Sequence, residues 1–292
     1  MCKDMQLELF EQFYKVKCFL FSKTKKLLNR NLRIVFLYFC RQNTDFMEWL
    51  KTVGQYFILI KTVFTKPDRW RMFFRQLPKE MENLGVNSLG IVIIISIFIG
   101  AIMTIQTKLN TENPLLPRYS TGLVTRDTLL LEFSSTIMCL ILAGKVGSNI
   151  ASEIGTMRIT EQIDALEIMG VNSANYLILP KIIAFVTLMP FLVIFSMGVG
   201  LLGGYMVAAF TDVITVSDYI YGIQYAFIPY YVTYAIVKSL VFAFIITSVA
   251  AFYGYYAYGG ALEVGKASTK AVVNSSILIL LFNLILTNLM LV

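Results

Sequence analysis

Residues 83–107 read NLGVNSLGIVIIISIFIGAIMTIQT, a run with no charged side chain. A helix needs about 20 mostly apolar residues to cross the hydrocarbon of a bilayer. In lipid, only helices and closed barrels satisfy their own backbone. This run is therefore read as a membrane-spanning helix. Four further runs come after it. The second lies at about Thr128–Ile150 and contains Glu132 and Lys145. The third, Ile182–Thr211, is charge-free and long enough to require tilt or a kink near Pro190. The fourth lies at about Pro229–Tyr256 with one charge, Lys238, and the fifth at about Ala271–Val292. The pattern predicts an all-α integral membrane protein. It has N-terminal interfacial helices, about five transmembrane helices, and a short polar-faced helix between the second and third.

Composition agrees. Apolar residues make up 57% of the chain and charged residues 15%, with mean hydropathy +0.69. A soluble domain holds roughly 45–50% apolar and about 25% charged residues. No apolar run near the start leads to a small-residue cleavage site. The sequence has no histidine, which removes the commonest general base and metal ligand. Cys2, Cys18, Cys40 and Cys139 are scattered without a CxxC and read as apolar fillers, so no metal site is expected.

The net charge of +7 arises mainly near the N-terminus, where 16 Lys and Arg precede the first span. That fits an anionic membrane surface and not nucleic acid. Lys145 lies near the end of the second span, Arg158 and Lys181 after it, and Lys266 and Lys270 after the fourth. The segment TDVITVSDYIYGIQYA after the third has two Asp and no Lys or Arg. Lys108, Arg118 and Arg126, after the first span, are the exception. By the excess of Lys and Arg in inner loops, the N-terminus is expected inside and the C-terminus outside.

Residues 67–84 form an amphipathic pattern. Trp70, Phe73, Phe74, Leu77, Met81 and Leu84 share a stripe opposite Arg69, Arg71, Arg75 and Lys79. Pro67 suits the first helical position. The reading is a helix lying on the membrane, with Trp70, Phe73, Phe74, Arg71 and Arg75 at the interface. A helix packed on a soluble partner is the alternative. Residues 47–65 are also expected to be helical. Residues 1–46 are a basic extension, either a native tail touching anionic lipid or an upstream addition to a protein that starts at Met47.

The most informative stretch runs from Ala143 to Lys181: AGKVGSNIASEIGTMRITEQIDALEIMGVNSANYLILPK. Small residues at helical spacing (Gly144, Gly147, Ser148, Ala151, Ser152, Gly155) allow close helix approach. A short amphipathic helix is predicted over about Arg158–Met169, stopped by Gly170 at C′. Ile159, Ile163 and Leu166 share one face, while Arg158, Glu161, Gln162, Asp164 and Glu167 stay polar. Such a helix either docks a soluble partner or rests on the membrane. Glu132 and Lys238 lie inside spans, where a charge costs at least about 2.5 kcal/mol. They form either a packing pair or a polar patch along a transport path. The string Gly260–Ala267 resembles a P-loop but ends in Ala where magnesium needs Ser or Thr. The chain therefore has no ATP site of its own.

At EIGTMRITEQIDALEIMGV and YLILPK the sequence resembles MlaE-type ABC transporter permeases, the membrane subunits of bacterial and plastid lipid transporters. LEFSSTIMCLILAGKVGSNIASEIG, VKSLVFAFIIT and YGYYAYGGALEVGKASTKAVVNSS extend the resemblance, which covers roughly residues 47–292 and is nearest to the Bacteroidota form. The resemblance divides the chain into an extension (1–46), N-terminal amphipathic helices (47–84) and a permease domain (85–292). It implies a non-catalytic permease that moves phospholipid between the bacterial inner membrane and the periplasm or outer membrane. It implies a cytoplasmic coupling region comprising Glu153, Gly155, Thr156, Arg158, Glu161, Gln162, Asp164 and Glu167. A second copy, an ABC ATPase holding ATP and Mg, and an MCE-domain lipid-binding protein are the implied partners, with a STAS-domain protein in some members. Glu132, Lys238 and Asn283 are implied to line the lipid path. The chain departs from some members with Leu131 where Arg stands and Asn283 where Asp stands. An ATP-independent secondary transporter or channel is the alternative, and would call for more intramembrane charge. A membrane enzyme is disfavoured by the lack of histidine and of a nucleophile motif.

Overall fold

The computed structural model describes residues 50–65, 70–111, 117–211 and 213–291, and these contain helices and turns but no strand. The basic extension 1–46 lies outside the described residues, as do Arg69 and Pro67. The chain divides into two units, Met1–Ile58 and Leu59–Val292. The described residues of the first belong to helix α1 (50–63). The second holds the helical bundle.

Helix α2 (Trp70–Leu84) carries Pro78 in its interior. A 3-10 turn at Val86–Ser88 leads directly into α3 (Leu89–Asn110). A first span beginning at Asn83 would thus start inside the last turn of α2. The apolar helical stretch runs Phe73–Asn110 with that turn in it. Helix α4 is continuous from Ser120 to Ile159, with two π-helical stretches at Leu129–Ile137 and Ala143–Gly147. The first stretch contains Glu132 and the second Lys145. After α5 (Gln162–Ile168) comes α6 (Ser173–Phe210), then α7 (Val216–Gln224), α8 (Tyr230–Tyr255) and α9 (Ala261–Leu291). Among the described residues, five stretches are long and apolar enough to cross a membrane, as the sequence predicts.

The third and fifth spans begin earlier than hydropathy suggests, at Ser173 and Ala261. At about 1.5 Å per residue, the 38 residues of α6 measure about 57 Å, nearly twice a hydrocarbon layer. Its first turns therefore need not lie in lipid, and they carry polar side chains. The same holds for α9, whose first turns contain the P-loop look-alike. Most of that string is plain helix, not a phosphate-binding loop.

The bundle packs in the way membrane helices do, with small residues inside. On α3 the buried positions include Val92, Ser96, Gly100 and Thr104, a stripe at four-residue spacing, while Ile94, Phe98 and Ile102 face outward. This stripe lies against α6, where the Ser96 and Ser196 hydroxyls hydrogen-bond at 2.9 Å. A Cβ on Gly100 would stand 1.8 Å from the carbonyl oxygen of Gly200, so nothing larger fits. Helix α8 is central: 72% of its most apolar window is buried, against 11% for α9.

Candidate functional site

Among the described residues, polar clusters stand out inside the bundle, at the end that carries α5, and around Lys181.

Inside the bundle, the Lys238 ammonium donates to Glu132 Oε1 at 3.1 Å and to the Leu131 carbonyl at 3.2 Å. Lys238 is fully buried, whereas the Glu132 side chain is 40% exposed, so the pair opens on one side. The ammonium also lies 4.6 Å from the Tyr234 ring centroid. Asn283 Nδ2 donates to Glu132 Oε2 at 3.2 Å. Thr136 Oγ1 lies 3.0 Å from the same oxygen and 3.1 Å from Asn283 Oδ1, and its one hydrogen serves one of them. Helices α4, α8 and α9 thus meet at one carboxylate. Placing Glu132 in the first π stretch gives it an environment that an unbroken α-helix would rotate away. Sequence reasoning found all three charged or amide residues here and missed Thr136, which reads as an ordinary polar residue.

At the end that carries α5, the predicted helix Arg158–Met169 is interrupted. Arg158 belongs to the last turn of α4, and the chain breaks at Thr160–Glu161 before α5 begins at Gln162. Glu161 adopts φ 59°, a left-handed backbone that non-glycine residues seldom take. Arg158 Nη1 bridges the break to Asp164 Oδ1 at 2.7 Å and its guanidinium lies over the Tyr255 ring. Ile163 is fully buried, as the apolar-face reading requires. The end of α5 is as expected. Gly170 has φ 74°, its N–H donates to Glu167 O at 3.0 Å, and Val171 N–H donates to Leu166 O at 3.1 Å. These are the paired bonds of a Schellman stop. Glu167 Oε1 accepts from Ser173 Oγ at 2.8 Å and from Tyr255 OH at 3.0 Å.

The remaining coupling candidates divide by exposure. Thr156, Glu161 and Gln162 are exposed to differing degrees, while Gly155 is buried, and a Cβ there would meet the Val264 side chain. Ile168 is 87% exposed and Met169 68% exposed beside the carboxylates. The sequence reading missed these two apolar side chains, because they lie off the Ile159–Ile163–Leu166 stripe.

Glu153, partly exposed, pairs at a site the sequence reading did not assemble. The Lys181 ammonium, 3% exposed, donates to Glu153 Oε2 and to Glu80 Oε2, each at 2.8 Å. Nearby, buried Asn175 donates to the carbonyls of Val63 and Thr65, each at 2.7 Å. The Asn172 side chain caps α6 by accepting from Asn175 N, and its amide donates to Thr65 Oγ1 at 3.1 Å. Lys181 counts in the sequence only as a flanking loop charge, and two asparagines give no pattern.

On α2, Phe73 is buried and Phe74 is 61% exposed, with Arg75 exposed. The side chains of Trp70 and Arg71 lie outside the described residues. At the opposite end from α5, Arg126 is buried. Its guanidinium donates to the carbonyls of Ile223 at 2.7 Å and Tyr225 at 2.8 Å and pairs with Asp127 at 2.8 Å. Arg126 is thus a structural tie to α7 and not the free loop charge the sequence count treats it as. Tyr219 of α7 donates to the Leu201 carbonyl at 3.0 Å.

Among the described residues, five helices long and apolar enough to cross a membrane, a buried lysine paired with a partly exposed glutamate between them, and a polar-faced helix at one end make the architecture of a multi-pass membrane protein. The chain belongs to the MlaE permease family, whose description, Permease MlaE, matches residues 77–289. A probable ABC transporter permease protein of Rickettsia bellii is 36% identical over 239 residues, covering 82% of this chain and 92% of its own. The intermembrane phospholipid transport system permease protein MlaE of Haemophilus influenzae is 31% identical over 251 residues, covering 86% and 95%. The chloroplastic protein TRIGALACTOSYLDIACYLGLYCEROL 1 of Arabidopsis thaliana is 32% identical over 227 residues, covering 75% and 62%.

Proposed function

We propose that this chain is the non-catalytic membrane subunit of an ABC transporter that moves phospholipid, driven by a separate ATPase. The observation that carries this reading is α5 itself. It is a short helix held by Arg158–Asp164 and Glu167–Tyr255, and it presents Glu161, Gln162, Ile168 and Met169 outward. Exposed apolar side chains beside Glu161 and Gln162 suit a protein partner better than bare water. On this reading Glu153, Gly155, Thr156, Arg158, Asp164 and Glu167 support the docking surface. The ATPase binds ATP and Mg.

The phospholipid substrate is supported by the name of the Haemophilus relative, and by the chemistry of the bundle. Its walls are apolar, and its polar cluster at Glu132, Lys238 and Asn283 is small. Acyl chains suit the first and a headgroup the second. Two copies of the chain, an MCE-domain protein opposite the ATPase and, in some systems, a STAS-domain protein complete the assembly. The chain sits in the bacterial inner membrane, with its N-terminus and α5 cytoplasmic and its C-terminus periplasmic.

Purification of the tagged protein in mild detergent tests this. Wild type is expected to bring an ATPase subunit with it, and Glu161→Lys/Ile168→Asp to lose it while keeping its melting temperature. Asp164 is left alone because it holds Arg158. A wild-type protein that purifies alone and moves lipid in vesicles without ATP would replace this reading with an ATP-independent transporter.

A further inference from the structure

The start of α6 is a junction. Within Asn172–Lys181, Ser173 reaches α5 through Glu167 and α8 through Tyr255. Asn175 holds the carbonyls of Val63 and Thr65 at the end of α1. Lys181 holds Glu80 of α2 and Glu153 of α4. The Lys181 bonds differ in kind from the others, because a buried ammonium cannot be left bare. Removing its partners leaves a charge whose desolvation nothing offsets. With two carboxylates at equal distance, Lys181 can lose one and remain paired with the other. Glu153 lies on the helix that leads into α5, and Glu80 lies on α2. A movement of α5 and the end of α4 must therefore either carry Lys181, and α2 with it, or break the Glu153 pair and leave Lys181 on Glu80 alone. Either outcome is a discrete rearrangement of the sort that transmits coupling.

We infer that Lys181 is a positioning residue that links displacement of α5 to α2, with Glu153 as the driving partner and Glu80 as the driven one. This rests on the proposal that α5 receives an ATPase. In that setting α2 is the second output of the stroke, beside the spans themselves. The ordinary reading of such a triad is packing alone. The two readings separate at Glu80, whose removal leaves Lys181 neutralised by Glu153 and the fold intact.

The test uses the full complex reconstituted in lipid vesicles, with ATP hydrolysis and lipid transfer measured on the same preparation. For Glu80→Gln, assembly, melting temperature and ATP hydrolysis are expected near wild type. Lipid moved per ATP is expected to fall about fivefold or more, the lower end of typical site-to-site coupling. Lys181→Arg, which can still hold both carboxylates, is expected to stay within about twofold of wild type, a change worth less than about half a kcal/mol. Unchanged transfer per ATP in Glu80→Gln would overturn the linkage. So would a parallel loss of assembly, hydrolysis and transfer, which would mark the triad as packing only. A wild-type preparation that binds no ATPase would instead overturn the functional proposal, whatever the variants do.

Discussion

Glu132 and Lys238 make a pair whose two ends are not equivalent. The lysine is fully buried and the carboxylate is 40% exposed. Removing the carboxylate strands a buried cation, a loss of about 3–5 kcal/mol where no substitute exists. Here the Leu131 carbonyl remains as a partner, so Glu132→Gln is expected at the lower end of that range or below. Lys238→Met leaves a carboxylate still reached by Asn283 and open on one side, and should cost less. The double variant is expected to regain most of the melting temperature but not lipid transfer, and thermal denaturation in detergent beside a transfer assay would show it. Recovery of both would reduce the pair to packing. Both residues were legible because a charge in an apolar run has to be explained. Lys181 was not, because at the edge of a run a lysine looks like any flanking charge. Its buried ion pairs are made with Glu80 and Glu153, which converge on it from distant parts of the chain.

At the scale of elements, the sequence revealed what leaves a chemical mark. The stop after α5 was legible because a backbone at φ 74° favours glycine, and Gly170 is there. The break before α5 was not, because Glu161 takes a left-handed backbone with a side chain that advertises nothing. Hydropathy likewise misses helix that continues beyond a charge-poor apolar run, as at Ser173–Lys181 and Ala261–Lys270. It also passed over α7, too short to show a period. The close approach of α3 and α6 supports a direct prediction. Gly100→Ala would place a methyl 1.8 Å from the Gly200 carbonyl and force the helices apart. Gly144→Ala meets nothing within 4 Å. Overpacking of this kind typically costs about 1–3 kcal/mol and more against rigid backbone. Gly100→Ala should sharply lower folded yield and melting temperature, and Gly144→Ala should leave both close to wild type.

For the whole molecule, the uneven burial of the spans bears on assembly. Helix α8 is enclosed, while α9 shows Leu280, Leu281, Leu284 and Ile285 outward, with 11% of its apolar window buried. Lipid can cover such a face, and so can a second copy. The position of Asn283 favours the copy. It lies on α9 and donates to Glu132, whose carboxylate opens to one side of the bundle. A passage between two copies, with the polar cluster on its wall, would therefore have α9 along its edge. Leu284→Cys, in a background where the native cysteines are serine, is expected to form an oxidant-dependent dimer of twice the 33.1 kDa chain in native membranes. Phe98→Cys, on the outward face of α3, serves as the comparison and is expected to stay monomeric. Cross-linking at Phe98 in place of Leu284 would move the contact between copies to α3. The open side of Glu132 would then face lipid, and each copy would have to carry its substrate along its own outer surface.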